Sequence, residues 1–274
     1  MDKLELLRAQ VRAYGSGLVA YSGGVDSTFL AWVAHEVLGD RMLAAIADSP
    51  SLPRRELREA LALARRFQFP VRVLASNEFA NPEYLANPRN RCYFCKRDLF
   101  GELVSLAREA GLAVVLCGEN ADDAGDYRPG GKAASEFAIR APMKELGLTK
   151  EEIRQYSRQA GLPTADKPAM ACLSSRVPYG ESVTPAKLLM IEQAEEILQD
   201  AGFREVRVRH HEGKRGAWAR IEVAPIELAR FAQDGLAGRV AAAIKALGYC
   251  HVTLDLEGYR RGSLNAEIKP GAAG

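Results

Sequence analysis

The chain reads as an α/β protein, a doubly wound parallel sheet followed by a second, smaller α+β domain. Three observations predict this. Short apolar runs of strand length alternate with segments of helical spacing through the first part of the chain. A glycine-rich turn, Ser22-Gly23-Gly24-Val25-Asp26-Ser27, follows the first such run and opens a helix. Beyond residue 183 the pattern changes to helix, strand, strand, helix, strand. The boundary is placed between residues 165 and 166, giving domains 1–165 and 166–274.

The elements follow in order. Residues 2–14 put Leu4, Leu7 and Val11 on one helical stripe. Leu18 to Tyr21 is the first buried strand, and residues 28–35 continue the helix behind the glycine turn. Residues 42–48 and 71–76 are apolar strands, separated by an amphipathic helix over 52–67. Residues 77–91, rich in Asn and Pro, read as a long loop. Residues 95–110 are helical with Leu99, Leu103 and Leu106 inward, and 113–118 form a fourth strand. Thr149-Lys-Glu-Glu152 is a capping box that opens a helix to Ala160, closed by Gly161-Leu-Pro163. Residues 163–183 are irregular. A helix spans 184–201, and 205–211 alternates as a half-buried strand. Gly213 to Gly216 turns it into a partner strand over 218–223. Residues 225–247 are helical with breaks near Gly235 and Gly238, and 252–256 form the last strand.

Composition narrows the function classes. The chain has 274 residues, of which 47% are hydrophobic, enough for a full core without staples. Lys and Arg number 37 against 35 Asp and Glu, a net charge of +2 that makes no case for nucleic acid as partner. No apolar run reaches membrane-spanning length, and the N-terminus reads as an amphipathic helix rather than a signal peptide. A cytoplasmic protein is therefore expected. Five cysteines argue for reduced thiols or metal rather than a disulfide framework.

The glycine turn carries chemistry. Gly23 and Gly24 let backbone approach a ligand, and a helix N-terminus behind them favours an anion. Ser22 and Ser27 add hydroxyl donors. Asp26 suits either a helix cap or a ligand holding Mg²⁺ against phosphates. The turn lacks the lysine of a Walker A loop and the third glycine of a dinucleotide fingerprint. An ordinary glycine-rich turn is the plain alternative. The hexapeptide is similar to the PP-loop of enzymes that cleave ATP between its α- and β-phosphates.

Cys92-Tyr-Phe-Cys95 and Cys172 stand in irregular, polar stretches, whereas Cys117 and Cys250 read as inert core thiols. The CxxC pair is open to four readings: a redox dithiol, a zinc site with His210 or His211, a 4Fe-4S cluster on three cysteines with one iron open, or unrelated reduced thiols. Asn120, Asp122, Asp123, Asp126 and Arg128 form a polar cluster for Mg²⁺ or phosphate. Lys96 and Arg97 adjoin Cys95, and Arg176, Arg207 and Arg209 are candidate anion anchors. Glu195 and Glu222 are candidate metal ligands or, more plainly, outer-face glutamates.

Over nearly its whole length the chain resembles the ATP-dependent sulfur transferases of the LarE type, PP-loop ATP pyrophosphatases with a Rossmann-like sheet. The resemblance rests on Ser22–Ser27, Arg91-Cys-Tyr-Phe-Cys-Lys96, the Asn120–Gly130 segment with its Asp-Tyr-Arg-Pro-Gly, Lys167-Pro-Ala-Met-Ala-Cys-Leu-Ser-Ser-Arg176 and Val206-Arg-Val-Arg-His-His211. It implies ATP-dependent adenylation of the carboxylates of pyridinium-3,5-biscarboxylic acid mononucleotide. Sulfur then displaces AMP, in assembly of the nickel-pincer nucleotide of lactate racemase. It implies that Ser22, Gly23, Gly24, Asp26, Ser27, Asn120, Asp123, Asp126 and Arg128 bind ATP and Mg²⁺. Arg207 and Arg209 would hold the substrate phosphate or carboxylates. Cys92, Cys95 and Cys172 would carry a 4Fe-4S cluster whose sulfide is the donor, the alternative being sacrifice of the Cys172 sulfur itself. A sulfide source and a homo-oligomer, dimer or hexamer, are implied as partners. The rival within the superfamily is a tRNA thiolation enzyme.

Overall fold

The computed structural model describes residues 2–125, 129–168 and 171–260. The chain divides into two compact units, 1–84 with 88–170, and 85–87 with 171–274. In chain order the first elements are α1 (Lys3–Ala13), β1 (Gly17–Ala20), α2 (Val25–Leu38), β2 (Met42–Asp48), α3 (Arg54–Arg66) and β3 (Val71–Ala75). Then come α4 (Pro82–Leu85), α5 (Arg91–Glu109), β4 (Val114–Leu116), α6 (Pro129–Glu136), α7 (Pro142–Glu145) and α8 (Lys150–Gln159).

The four strands make one parallel sheet in the order β3-β2-β1-β4. Parallel strands need cover on both faces, and their side chains alternate between the two. Val19, Ala44, Ile46 and Leu116 join the core built with α1, α2, α3 and α8. Leu18, Ala45 and Val115 join a second core with α5 and α6. Because the strands run the same way, their carboxyl ends share one edge, where such sheets place ligands. The capping box of α8 is present: Thr149 Oγ1 accepts from Glu152 N at 3.2 Å, and Glu152 Oε2 accepts from Thr149 N at 2.8 Å.

The stretch expected as a loop over 77–91 contains α4. Asn81 Oδ1 accepts from Glu83 N at 3.0 Å, so asparagine and proline here start a helix rather than a coil. α5 begins at Arg91, earlier than its apolar spacing indicates, and takes both cysteines of the CxxC pair into its first turns. α6 and α7 were not legible as helices; both are short and begin at proline.

The second unit contains α9 (Pro185–Asp200), β5 (Val206–His211), β6 (Trp218–Val223), α10 (Leu236–Ala246) and β7 (His251–Leu254). Its sheet order is β5-β6-β7, antiparallel then parallel. Gly216 N donates to Gly213 O at 3.1 Å in the hairpin turn. The break before α10 falls at Gly235, φ +65°, while Gly238 lies within the helix. Residues 85–87 are bonded into this unit: Val183 N to Leu85 O at 2.9 Å, and Asn87 Nδ2 to Pro178 O at 2.7 Å. Val206, Val208, Ala219, Ile221 and Val223 pack with α9 and α10 on one face. The other face of β5, expected in solvent, is also buried, with Arg207 at 6% and Arg209 at 5% exposure. No helix among the described residues is long and apolar enough to cross a membrane.

The same sheet sets an acid limit. His211 stacks on Trp218 with ring centroids 4.3 Å apart, and burial, then the Arg220 charge, pushes its pKa down from 6.5 to about 4. Burial also lowers the His210 pKa. The unfolded chain therefore binds more protons than the folded one between these values, so stability falls as pH drops from about 6.5 toward 4. Melting curves across that window should show this fall, and His211→Phe should flatten it.

Candidate functional site

In the first unit the site begins where β1 ends. Gly23 has φ +72°, and a Cβ there would lie 2.7 Å from the Ala60 Cβ, so only glycine turns the chain at this point. Gly24 precedes α2 and gives it no side-chain cap. The first turn of α2 thus presents backbone donors and the positive end of the helix dipole. Ser22 Oγ and Ser27 Oγ sit 3.0 Å apart beside it, and Ser22 N donates to Ser27 Oγ at 3.1 Å. A Cβ on Gly24 would meet only Ser22 Oγ within 4 Å, so the turn is an open cradle.

The end of β4 closes on the same place. A Cβ on Gly118 would fall 2.9 Å from Ser27 N and 3.1 Å from Ser27 Cα, so the strand passes α2 at a distance only glycine permits. Asn120, 3% exposed, donates to Asp26 Oδ1 at 3.3 Å. Lys150 Nζ donates to Asp26 Oδ2 at 2.5 Å. Asp26 therefore does not cap α2; its carboxylate is shared by an amide and an ammonium. Asp123 Oδ2 accepts from Asn120 N at 3.0 Å, and Asp122 Oδ2 accepts from Lys150 N at 2.8 Å at the start of α8. Two serine hydroxyls, an uncapped helix start and a lysine form a donor set suited to a polyphosphate. In the sequence Lys150 reads only as the first residue after a helix cap. Asp126 and Arg128 lie outside the described residues.

A second polar group lies at the ends of β2 and β3. Glu78 is 3% exposed and accepts from the hydroxyls of Ser49 and Ser51. Cys95 Sγ donates to Glu78 Oε2 at 3.0 Å. Cys92 is exposed one turn earlier on α5, so the CxxC thiols share a helix face. The signal for Glu78 was its place at the edge where strands end, obscured by the loop composition. Lys96 lies over the Phe100 ring at 5.8 Å, and Arg97 pairs with Asp98 and Glu83 at 3.3 and 3.4 Å.

In the second unit Cys172 is exposed at the start of a 3₁₀ turn, Leu173–Arg176. Glu195 and Glu222 are 4% and 1% exposed, not outer-face residues. Arg176 Nε and Nη2 donate to the two Glu195 oxygens at 2.8 and 3.0 Å. Arg209 Nε and Nη2 donate to the two Glu222 oxygens at 3.0 and 2.7 Å. Charges this deep need such forked partners. Arg207 lies 4.8 Å over the Tyr259 ring, and burial, then the charge of Arg176, lowers its pKa. His210 Nδ1 lies 3.1 Å from the Tyr249 hydroxyl, on the strand that carries the arginines. All five cysteines are free thiols. Burial pushes Cys117 up to about 11, in keeping with an inert core thiol.

Cys92 and Cys95 are two neighbouring thiols that could bind a metal or cluster on losing their protons. Among the described residues no three His, Cys, Asp or Glu side chains are grouped to hold a metal ion. The CxxC pair thus fits part of a cluster's ligand set, and Asp26 with its amide neighbour fits part of a magnesium shell.

No family model matches the chain. It is 47% identical over 264 residues to an uncharacterized protein of Synechocystis sp., covering 96% of this chain and 97% of the relative. It is 34% identical over 248 residues to the pyridinium-3,5-bisthiocarboxylic acid mononucleotide synthase of Lactiplantibacillus plantarum, covering 90% and 88%. The tRNA-specific 2-thiouridylase of Rickettsia felis is 27% identical over 187 residues, which is only 55% of this chain.

Gly118→Ala should displace the start of α2, because the added Cβ meets backbone rather than a flexible side chain. A lowered melting temperature is expected, whereas Gly131→Ala, with nothing within 4 Å of the new Cβ, should leave it unchanged or raised.

Proposed function

The chain belongs to the family of pyridinium-3,5-bisthiocarboxylic acid mononucleotide synthases, ATP-dependent sulfur transferases of the PP-loop fold, and on that premise we propose that it adenylates the carboxylates of pyridinium-3,5-biscarboxylic acid mononucleotide and converts them to thiocarboxylates. The observation that carries this reading is the cradle itself: an uncapped helix start, paired Ser22 and Ser27 hydroxyls, and Lys150 on Asp26. The product would serve nickel-pincer nucleotide assembly. With the reading go a cytoplasmic location, where thiols stay reduced, and a homo-oligomer.

In the first step the donors of the α2 turn, Ser22 and Ser27 hold the pyrophosphate portion of ATP. Gly23 and Gly24 keep side chains out of its way. Asp26 would hold Mg²⁺, with the Asn120 amide on its Oδ1 and Asp123 on the Asn120 main chain, and Lys150 adds a positive charge. A substrate carboxylate oxygen attacks the α-phosphorus, and pyrophosphate leaves. Holding the reactants in line and offsetting charge is most of the catalysis. In the second step sulfur attacks the acyl carbon and AMP leaves. Arg207 and Arg209 would hold the substrate's phosphate or carboxylates, Arg209 while giving Nε and Nη2 to Glu222 and Nη1 to Ser175 O. Cys92, Cys95 and Cys172 would be the thiolates for a 4Fe-4S cluster. Such a cluster, when bound, would supply the sulfide, and the protein would not be consumed. In the second form of the reading, Cys172 gives up its own sulfur and is left as dehydroalanine.

Asp26→Asn and Lys150→Ala are each expected to lower pyrophosphate release by about tenfold or more, the scale of losing one charge-stabilising contact. Release should depend on the pyridinium nucleotide and not on tRNA; release dependent on tRNA instead would move the chain to the thiolation rival. Cys172→Ser should abolish thiocarboxylate formation while pyrophosphate release continues.

Anaerobic reconstitution with iron and sulfide separates the two sulfur sources. A brown protein that loses its colour in Cys92→Ala supports the cluster. Stoichiometric zinc without iron, or loss of the Cys172 sulfur after one turnover, supports the alternatives.

A further inference from the structure

Cys172 is an exposed thiol on a hydrogen-bonded stem. Its carbonyl oxygen accepts from Ser175 N at 3.0 Å, Ser175 Oγ at 2.8 Å and Arg176 Nη1 at 2.9 Å. Arg176 Nη1 also donates to Ala171 O at 2.6 Å, so one guanidinium holds the carbonyls of the two peptides that flank the Cys172 Cα. Arg176 itself is wholly buried, at 0% exposure. Its remaining edge is taken by both oxygens of Glu195. Glu195 Oε1 in turn accepts from Val208 N of β5 at 3.0 Å. Arg209, also on β5, donates from Nη1 to Ser175 O at 2.9 Å. Two anchors therefore run from one strand to the turn under the thiol.

A buried ion pair is a poor device for stability, since apolar residues of similar volume do as well or better. What it does provide is direction: a planar fork fixes the groups it binds to within a narrow angle. The object fixed here is the main chain of Cys172, while its side chain is left exposed. We propose that Arg176 and Glu195 are positioning residues, which hold the Cys172 backbone so that its thiol points in one direction for sulfur transfer. This rests on the reading that Cys172 takes part in that transfer. Arg176, read in the sequence as a candidate phosphate anchor, binds the protein's own carbonyls and carboxylate instead.

The test compares Arg176→Lys, Glu195→Gln and Ser175→Ala in the full chain. Arg176→Lys keeps the charge and loses the fork; Ser175→Ala removes one bond to the Cys172 carbonyl at a half-buried site. Amide exchange over residues 171–177 should quicken in all three, most in Arg176→Lys, with β1 to β4 unchanged. The kcat of thiocarboxylate formation should fall about tenfold or more in Arg176→Lys, as expected for a reacting group displaced by about an ångström. The KM for the pyridinium nucleotide should stay within about twofold, and Glu195→Gln, which keeps a hydrogen-bonding partner, should lose less. A loosened turn with full kcat, or a loss that lies wholly in KM, overturns the proposal. Should Arg176→Lys fail to fold, Ser175→Ala decides by the same two readouts. Cys172→Ala keeping full sulfur transfer would refute the underlying reading. If it is inactive while Arg176→Lys and Ser175→Ala keep full kcat, this proposal alone fails.

Discussion

The start of α2 is the constraint on which the first unit depends. A helix N-terminus leaves backbone donors without partners, and a side-chain cap is the usual remedy. Gly24 withholds it. The remaining sequence around the turn keeps the place open and polar. Gly23 allows the left-handed turn against α3, Gly118 lets β4 pass close by, and Ser22 and Ser27 line the opening. The carboxylate of Asp26 would oppose an anion by itself. Asn120 and Lys150 engage both its oxygens, so the local charge is balanced before any ligand arrives.

The second unit meets a different demand. One face of its sheet is apolar and packs on α9 and α10. The other face carries arginines that are just as buried. Removing an arginine from water is costly unless a carboxylate and further acceptors replace the lost hydration. Glu222 does this for Arg209 with forked geometry, and the Ser175 carbonyl takes its third donor; in the turn, Glu195 and the carbonyls of Ala171 and Cys172 do the same for Arg176. The turn bearing Cys172 is thus part of how the sheet's charges are satisfied, which ties the thiol's stem to β5.

Much of this was legible from residue patterns. The parallel sheet showed in apolar runs spaced by helices, and the capping box of α8 in Thr149 and Glu152. The glycine turn was legible because its chemistry is local. What stayed hidden depends on distant partners. Glu195 and Glu222 look like surface glutamates until the strand opposite them is known, since a lone acidic residue on a helix or strand carries no mark of burial. Lys150 stands 124 residues from Asp26, so no spacing rule joins them. β5 alternated as a half-buried strand should, and the error lay in reading charged as exposed. Asn and Pro between β3 and α5 do not mark α4, because the same residues serve coil and helix start.

The contrast between the two polar centres bears on what each can do. The donors at α2 surround an open space, which suits a ligand that brings its own charge and leaves with part of it. The donors of Arg176 beneath Cys172 are spent on the protein, so the main chain of this turn is tied by hydrogen bonds with no substrate taking part. Adenylation needs a place that accepts a large polyanion and releases pyrophosphate; sulfur transfer needs one atom held in one direction. A flexible arm on Cys172 would spread the thiol over many orientations and lose reaction probability in proportion. The buried arginine fork removes that freedom at the backbone, without touching the sulfur. An apolar core beneath the same turn would hold it by packing alone, with no group directed at the Cys172 carbonyl. That difference is the physical reason to find a buried charge where stability does not require one.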